Sequence, residues 1–282
     1  MTMTRKGLGK GPKVSNPDGP VGPETLSKSL RHKRYFYEPF VKQPFSWTIT
    51  TDGYGNPTGT TGNVNGIHTG FNNFAWQVKG TQTIVVPSVT TDHAYDFGLD
   101  QTLADGFELN PSTVVVTNAT YAHPLHYTVG TDEAYFRLLF SAEDVSGADL
   151  TVGFRLVEAY QTAVASYDTY AGIRVLGDSS SAAGAITLVN ELDASATAAT
   201  DTTDTLADGT AVEFEVRIVG TKARFFINGA SPTIDLRTFA FTSGDVVMPF
   251  VFFLNTTDVV GELKFIRMEG GLLADHPGVL LS

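Results

Sequence analysis

The segment Val212-Glu-Phe-Glu-Val-Arg-Ile218 alternates apolar and charged residues without a break. Successive strand side chains point to opposite faces, so Val212, Phe214, Val216 and Ile218 are predicted to face a core. Glu213, Glu215 and Arg217 then form a solvated charged stripe. A Gly220-Thr turn leads into a second strand, Lys222-Ala-Arg-Phe-Phe-Ile227. Asn228-Gly229, a pair that accepts positive φ, predicts the next reversal. Met248-Pro-Phe-Val-Phe-Phe-Leu254 is apolar at every position, the pattern of a central strand covered on both faces. Leu263-Lys-Phe-Ile-Arg267 returns to partial alternation and is expected to close a sheet. Upstream, short apolar runs lie at Thr83-Ile-Val-Val86, Val114-Val-Val116, Tyr135 to Phe140, Leu150 to Val157, Ile173 to Leu176 and, more weakly, Ile186 to Val189. Such runs, with no long 3.6-period segment between them, predict an all-β sandwich of two antiparallel sheets ~10 Å apart. Residues 52–73, rich in Gly, Asn and Thr, read as an exposed loop, and the Ala/Thr/Asp tract 190–210 as a solvated connection.

The first forty residues follow a different grammar. Gly7, Gly9, Gly11, Pro12, Pro17, Gly19, Pro20, Gly22 and Pro23 deny both helix and strand, so residues 1–34 read as an extended arm. The arm ends in the basic cluster Arg31-His-Lys-Arg34, and Tyr35-Phe-Tyr37, Phe40, Phe45 and Trp47 follow. Aromatic side chains at that density must dock on something, either the chain's own domain or a partner subunit. Charge divides at the same place. Through Lys42 there are nine Lys/Arg against three Asp/Glu, or +6; the remainder holds ten against twenty-seven, or −17, together the chain's −11. A basic tail on an acidic body points to a tail with its own partner. The predicted division is an attachment arm over 1–45, a β body over 46–272 and a tail over 273–282. The acidic body would repel a phosphate backbone, which disfavours nucleic acid. There is no cysteine, hence no disulfide framework or thiolate metal site. No apolar run approaches the ~20 residues a spanning helix needs, so a membrane is not expected.

Motifs of chemistry are weak throughout. Glu213-Phe-Glu215 are two carboxylates on one strand face, but i,i+2 positions lie roughly 6.5–7 Å apart, whereas double-displacement glycoside cleavage needs ~5–5.5 Å. His123-Pro-Leu-His126 would send its rings to opposite faces of a strand. Asp92-His-Ala-Tyr-Asp96 has no nucleophile motif beside it. Asp201, Asp204 and Asp208-Gly209 could offer oxygen ligands to Ca²⁺, yet their spacing is not that of an EF-hand loop. Gly7-Leu-Gly-Lys-Gly11 lacks the strand and the Lys-Ser/Thr ending of a phosphate loop. Asn118 and Asn255 open glycosylation sequons that need a secretory context. The expectation is a chain with no catalytic residue, cofactor or resident metal.

The paired strands Val212–Gly229 resemble those of concanavalin A-like jelly rolls, a class that includes laminin G-like modules, legume-type lectins and related glycanases. Tyr135 to Phe140, Val152-Gly-Phe154, Ala171-Gly-Ile-Arg-Val175, Met248-Pro-Phe250 and Leu263 to Arg267 follow in matching order, over roughly residues 80–270. The Glu-x-Asp-x-x-Glu motif of the glycanases is missing. The order also resembles a group of tailed-phage virion proteins that display such a jelly roll. That resemblance implies a non-enzymatic capsid decoration (cement) protein in the virion, oligomeric and seated on the major capsid protein. Arg31, Lys33, Arg34, Tyr35, Phe36, Tyr37 and Phe40 would be its contacts. The alternative it implies is a lectin-like module of a phage tail or host-adhesion protein, in which Trp76, Tyr160, Tyr167 or Tyr170 would stack on sugar.

Overall fold

The computed structural model describes residues 34–38, 65–67, 74–79, 88–89, 94–96, 106–111, 125–158, 160–161, 163–176, 184–235, 239–255 and 263–276. These residues form an all-β jelly-roll sandwich of two antiparallel sheets. One sheet runs β14 (Lys222–Ile227), β13 (Val212–Val219), β8 (Ala134–Ala142), β16 (Leu263–Leu272), β5 (Tyr95–Asp96) and β4 (Ser88–Val89), with β1 (Phe36–Glu38) also paired to β16. The other runs β12 (Ala198–Thr205), β11 (Ala185–Glu191), β10 (Tyr170–Leu176), β9 (Ala148–Leu156), β15 (Val246–Asn255), β6 (Gly106–Asn110), β3 (Ala75–Lys79) and β2 (Asn65–Ile67). The two-residue β7 (Tyr127–Thr128) pairs with β15. The chain crosses between the sheets from β8 to β9, from β12 to β13, and out and back through β15. That interleaving lets each sheet bury one face against the other.

Alternation decides the core. Val212, Phe214, Val216 and Ile218 are buried against Leu150, Val152 and Phe154 of β9 and Ile173 of β10 in one continuous cluster. Phe214 meets Phe140 edge-on at 5.0 Å between centroids. β15 is covered on both faces, as its unbroken apolar run predicts. Val247, Val251 and Phe253 enter the main core, while Phe250 and Phe252 join Tyr167, Tyr170 and Val189 in a second cluster. Asn228 and Gly229 both take positive φ, 50° and 77°, and reverse the chain after β14.

Two expectations are corrected. The tract 190–210 is not merely a connection: it contains β12, an edge strand paired to β11. Its Ala/Thr/Asp composition suits an exposed edge, where charged and polar side chains discourage further strand addition. Thr202 alone in β12 is buried, and its hydroxyl donates to the Ile186 carbonyl at 2.6 Å. Thr203 beside it takes a left-handed φ of 65°, with its N–H on Asp201 Oδ1. The stripe Glu213, Glu215, Arg217 is not uniformly solvated either. Glu215 is buried, held by Arg217 and lying 3.0 Å from His276 Nε2, because the turn Leu273–Asp275 folds the chain over it.

Residues 34–38 dock on the body itself. Arg34 grips Asp132 through both guanidinium nitrogens at 2.8 Å and donates to the His126 carbonyl. That ion pair holds the Asp132 carboxyl below its usual range. Phe36 packs 4.8 Å from Phe74 and 6.1 Å from Phe136. It fits because its cross-strand neighbour is Gly270, where a Cβ would lie 2.7 Å from the Phe36 ring. Tyr35 donates to Glu269 on the other face, and burial followed by the charge of Glu269 pushes its phenol up to about 12.

Candidate functional site

The second cluster marks the outer face of the nine-stranded sheet as unusual. Alternation there turns Asp149, Thr151 and Arg155 of β9, Tyr170 and Arg174 of β10, Val189 and Glu191 of β11, Glu108 of β6, and Phe250, Phe252 and Leu254 of β15 away from the main core. An outward face this apolar needs a cover. Residues 157–158, 160–161 and 163–169 supply part of it, folding back across the sheet through a short 3-10 turn, Val164–Ser166. The segment is tied at both ends by Val157 N–H to the Val246 carbonyl and Leu156 N–H to the Thr169 carbonyl, each 3.0 Å.

A buried ionic knot fixes it from beneath. Arg155 donates through Nε and Nη2 to Glu108 Oε1 at 2.9 and 2.6 Å, and both side chains are excluded from solvent. Tyr167, inside the covering segment, donates its hydroxyl to the other oxygen of Glu108, and the Arg155 guanidinium lies 4.2 Å over its ring. Asn110 Nδ2 adds a third donor to Glu108, at 2.7 Å. Arg155 Nη1 reaches the carbonyls of Leu156 and Glu158. Burial, then the Glu108 charge, raises the Tyr167 phenol, so it stays protonated and keeps donating. Buried ions need this degree of hydrogen-bond satisfaction to persist. Nearby, Glu158 is half-buried and its carboxyl is pushed up to about 7, chiefly by desolvation, against the opposing hydrogen bond from the Asp168 N–H.

Beside the knot the face opens into a cleft of about 140 Å³. Phe252, Leu254 and Val189 line it together with Tyr170, while Ala163, Val164 and Ala165 of the covering segment form a lip. Asp149 and Arg174 stand in the lining as a two-pronged pair, with Arg174 Nε 2.6 Å from Asp149 Oδ1 and Nη2 on Oδ2. Thr197 adds a hydroxyl at the edge, bonded to Tyr170 Oη at 3.3 Å and to Glu191 Oε2 at 2.7 Å. The cleft therefore combines an apolar floor, an aromatic wall, a carboxylate and a guanidinium. Its volume falls below the roughly 300–1,000 Å³ of drug-sized sites and suits a single ring-sized group.

The aromatic residues singled out for sugar stacking separate here. Tyr170 lines the cleft; Tyr167 is consumed by the knot beneath the cover; Tyr160 packs at the margin of the second cluster. Trp76 lies in β3, paired with Leu109 of β6. Asp149, Arg174, Glu108 and Arg155 escaped sequence reasoning, though charged residues at the out-facing positions of β9 were a usable signal. Glu213 is held by Arg137 and Arg267, as Glu215 is by Arg217, so neither carboxylate is poised for proton transfer. Asp201, Asp204 and Asp208 bind separate local donors, Thr203 N–H, Thr233 and Val145 N–H. Among the described residues no three metal-ligating side chains gather. Of the arm contacts, Arg34, Tyr35 and Phe36 engage the chain's own sheet and Tyr37 stays 43% exposed. Arg31, Lys33 and Phe40 lie outside the described residues, as do His123, Asp92 and Asn118.

No protein-family model and no curated protein matches the chain. Several solved structures are similar in shape. The carbohydrate recognition domain of Emp47p shares 14% identity with a TM-score of 0.44, covering 70% of this chain and 88% of that one. The exoplasmic/lumenal domain of VIP36 in its Ca2+/Man-bound form shares 9%, at a TM-score of 0.45 and coverages of 72% and 85%. A protein of unknown function from Shewanella oneidensis MR-1 shares 11%, at 0.47, covering 93% and 99%. With every one of these scores below 0.5, the architecture stands on the strand pairing itself and the functional reading on this chain's own side chains.

Proposed function

We propose that the chain is a non-enzymatic carbohydrate-binding module whose site is the cleft on the outer face of the nine-stranded sheet. The carrying observation is the Asp149–Arg174 pair set beside Tyr170 and Phe252 in one cleft. A sugar ring presents an apolar C–H face and a rim of hydroxyls. The first needs an aromatic or apolar floor, the second needs fixed donors and acceptors; Tyr170, Phe252 and Leu254 meet the one demand and Asp149, Arg174 and Thr197 the other. Cleavage is disfavoured because, among the described residues, the cleft lining holds one carboxylate, already clamped by arginine, where double displacement requires two at ~5–5.5 Å. Glu158, with its raised pKa, does not line the cleft. Glycan-array binding tests the reading. Retention of at least one glycan, lost in Asp149→Ala and Tyr170→Ala but kept in Glu213→Ala, is expected; no signal from the native chain would end it.

Attachment to a virion lattice through the basic arm is a second reading that rests on the arm's composition, the charge division and the resemblance in strand order. Residues 34–38 give it less support than their composition promised, since Arg34 and Phe36 are engaged within the chain. Its contacts would have to come from residues 1–33, the exposed Tyr37 and residues 39–45, Phe40 among them. Homo-oligomerisation and a capsid partner belong to that reading and share its basis.

A further inference from the structure

The opposite sheet carries a second cleft, of about 350 Å³, between the β13–β14 hairpin, Ser231, Asp235 and Leu273. Its two arginines, Arg217 and Arg224, are directly opposed across the hairpin. Like charges at opposed positions are destabilising unless something balances them. Arg217 is balanced: it pairs with buried Glu215, and its guanidinium lies 4.1 Å over the Phe226 ring. Arg224 is half-buried and, among the described residues, has neither an ion pair nor a hydrogen bond to its guanidinium. The neighbouring sheet surface is otherwise closely matched, Arg137 with Glu213 and Glu269, Arg267 with Glu213, and Lys264 with Glu143. Among the described residues Arg224 and the exposed Lys222 of β14 stand outside that matching, and Arg224 lines a cleft.

We infer that this cleft binds a small carboxylate with an apolar or ring-shaped body, its carboxylate seated on Arg224. A planar guanidinium offers two parallel donors to a carboxylate, and Ser231 adds a hydroxyl to the same lining. Val219, Phe226 and Leu273 provide apolar walls for the body of the ligand. The charges sum to zero, Arg217 and Arg224 against Glu215 and Asp235, so the fork of Arg224 and not surplus charge holds the carboxylate. Glu215 cancels Arg217, and Asp235 in the lining opposes any further negative charge, so a phosphate or sulfate dianion meets repulsion that a carboxylate meets only weakly. The volume sits at the lower end of small-molecule sites, which fits a ligand of one ring rather than a polymer.

Benzoate titrated into the isotope-labelled full chain, followed by amide chemical shifts, tests this directly. Saturable shifts at Arg217, Arg224 and Phe226 are expected. Benzamide, of equal size but uncharged, should bind at least tenfold more weakly, as should benzoate to Arg224→Ala. Arg224→Lys, which keeps the charge without the fork, should fall between. Because Arg224 has no bond to lose, Arg224→Ala should keep the native melting temperature. Equal binding of benzoate and benzamide, undiminished binding to Arg224→Ala, or no shifts at the hairpin would each overturn the inference.

Discussion

Both sheets present an outer face of alternating side chains, but the two faces are finished by different physics. On the seven-stranded sheet the outward face of β8, β13 and β16 carries charged side chains among Tyr135, Leu139 and Ser141, and Arg137, Glu213, Arg267 and Glu269 neutralise one another across strands. On the nine-stranded sheet the central strand β15 turns Phe250 and Phe252 outward, and a chain segment must return to cover them. A charge lattice closes most of its surface by itself, and here only the short turn Leu273–Asp275 is laid over it, at Glu215. An apolar face cannot, and the incomplete cover leaves a cleft where polar and aromatic groups meet. The difference is why the proposed saccharide site is placed on the face that needed a covering segment.

The sharpest way to break this comparison is to cut the knot that holds the cover. Glu108→Ala strands Arg155 without a counter-ion and removes the acceptor of Tyr167, so chemical denaturation should show a loss of roughly 3–5 kcal/mol. A loss under 1 kcal/mol would mean that the cover is held from elsewhere. Phe36→Ala asks whether residues 34–38 belong to the seven-stranded sheet. Its ring lies between Phe74 and Phe136, so a cavity cost of about 3 kcal/mol is expected, and a neutral result would return the segment to the arm.

How far the sequence displays these two faces depends on where the signal resides. Val212–Ile218 and Met248–Leu254 are legible because a period of two and an unbroken apolar run are local properties. β12 is not, since an exposed edge needs no apolar face and its Ala/Thr/Asp run imitates a loop. The knot joins Glu108 to Arg155 and Tyr167 across 47 and 59 positions, and only strand register brings them together. Tyr170 was legible as an aromatic candidate, but nothing local distinguished it from Tyr167, whose hydroxyl is committed. Burial of Glu215 depends on residues 273–276, about sixty positions away, which composition alone left as a tail.

The charged face allows a finer test. Glu213 is partly buried between Arg137 and Arg267, so Glu213→Ala should cost about 1–2 kcal/mol, above the 0.5 kcal/mol of an isolated surface residue. An effect within 0.5 kcal/mol would show that the lattice is decorative. The smallest expected effect lies in the cover. Glu158 has a folded-state pKa of about 7, above its unfolded value, so the folded chain holds a proton there that the unfolded chain releases. Stability from this group is therefore greatest at or below its ordinary pKa of roughly 4.3 and declines as pH rises towards 7. Glu158→Gln should flatten the melting-temperature profile between pH 5 and 7.5; an unchanged slope would place the carboxyl in ordinary solvent.

The central claim is that saccharide binds the face closed by a chain segment and not the face closed by charge. Amide chemical-shift mapping with a monosaccharide retained on the array tests it residue by residue. The account predicts saturable shifts at Asp149, Val164, Tyr170, Arg174 and Thr197, with β8, β13 and β16 silent. Shifts confined to β8, β13 and β16, with the cleft silent, would contradict it.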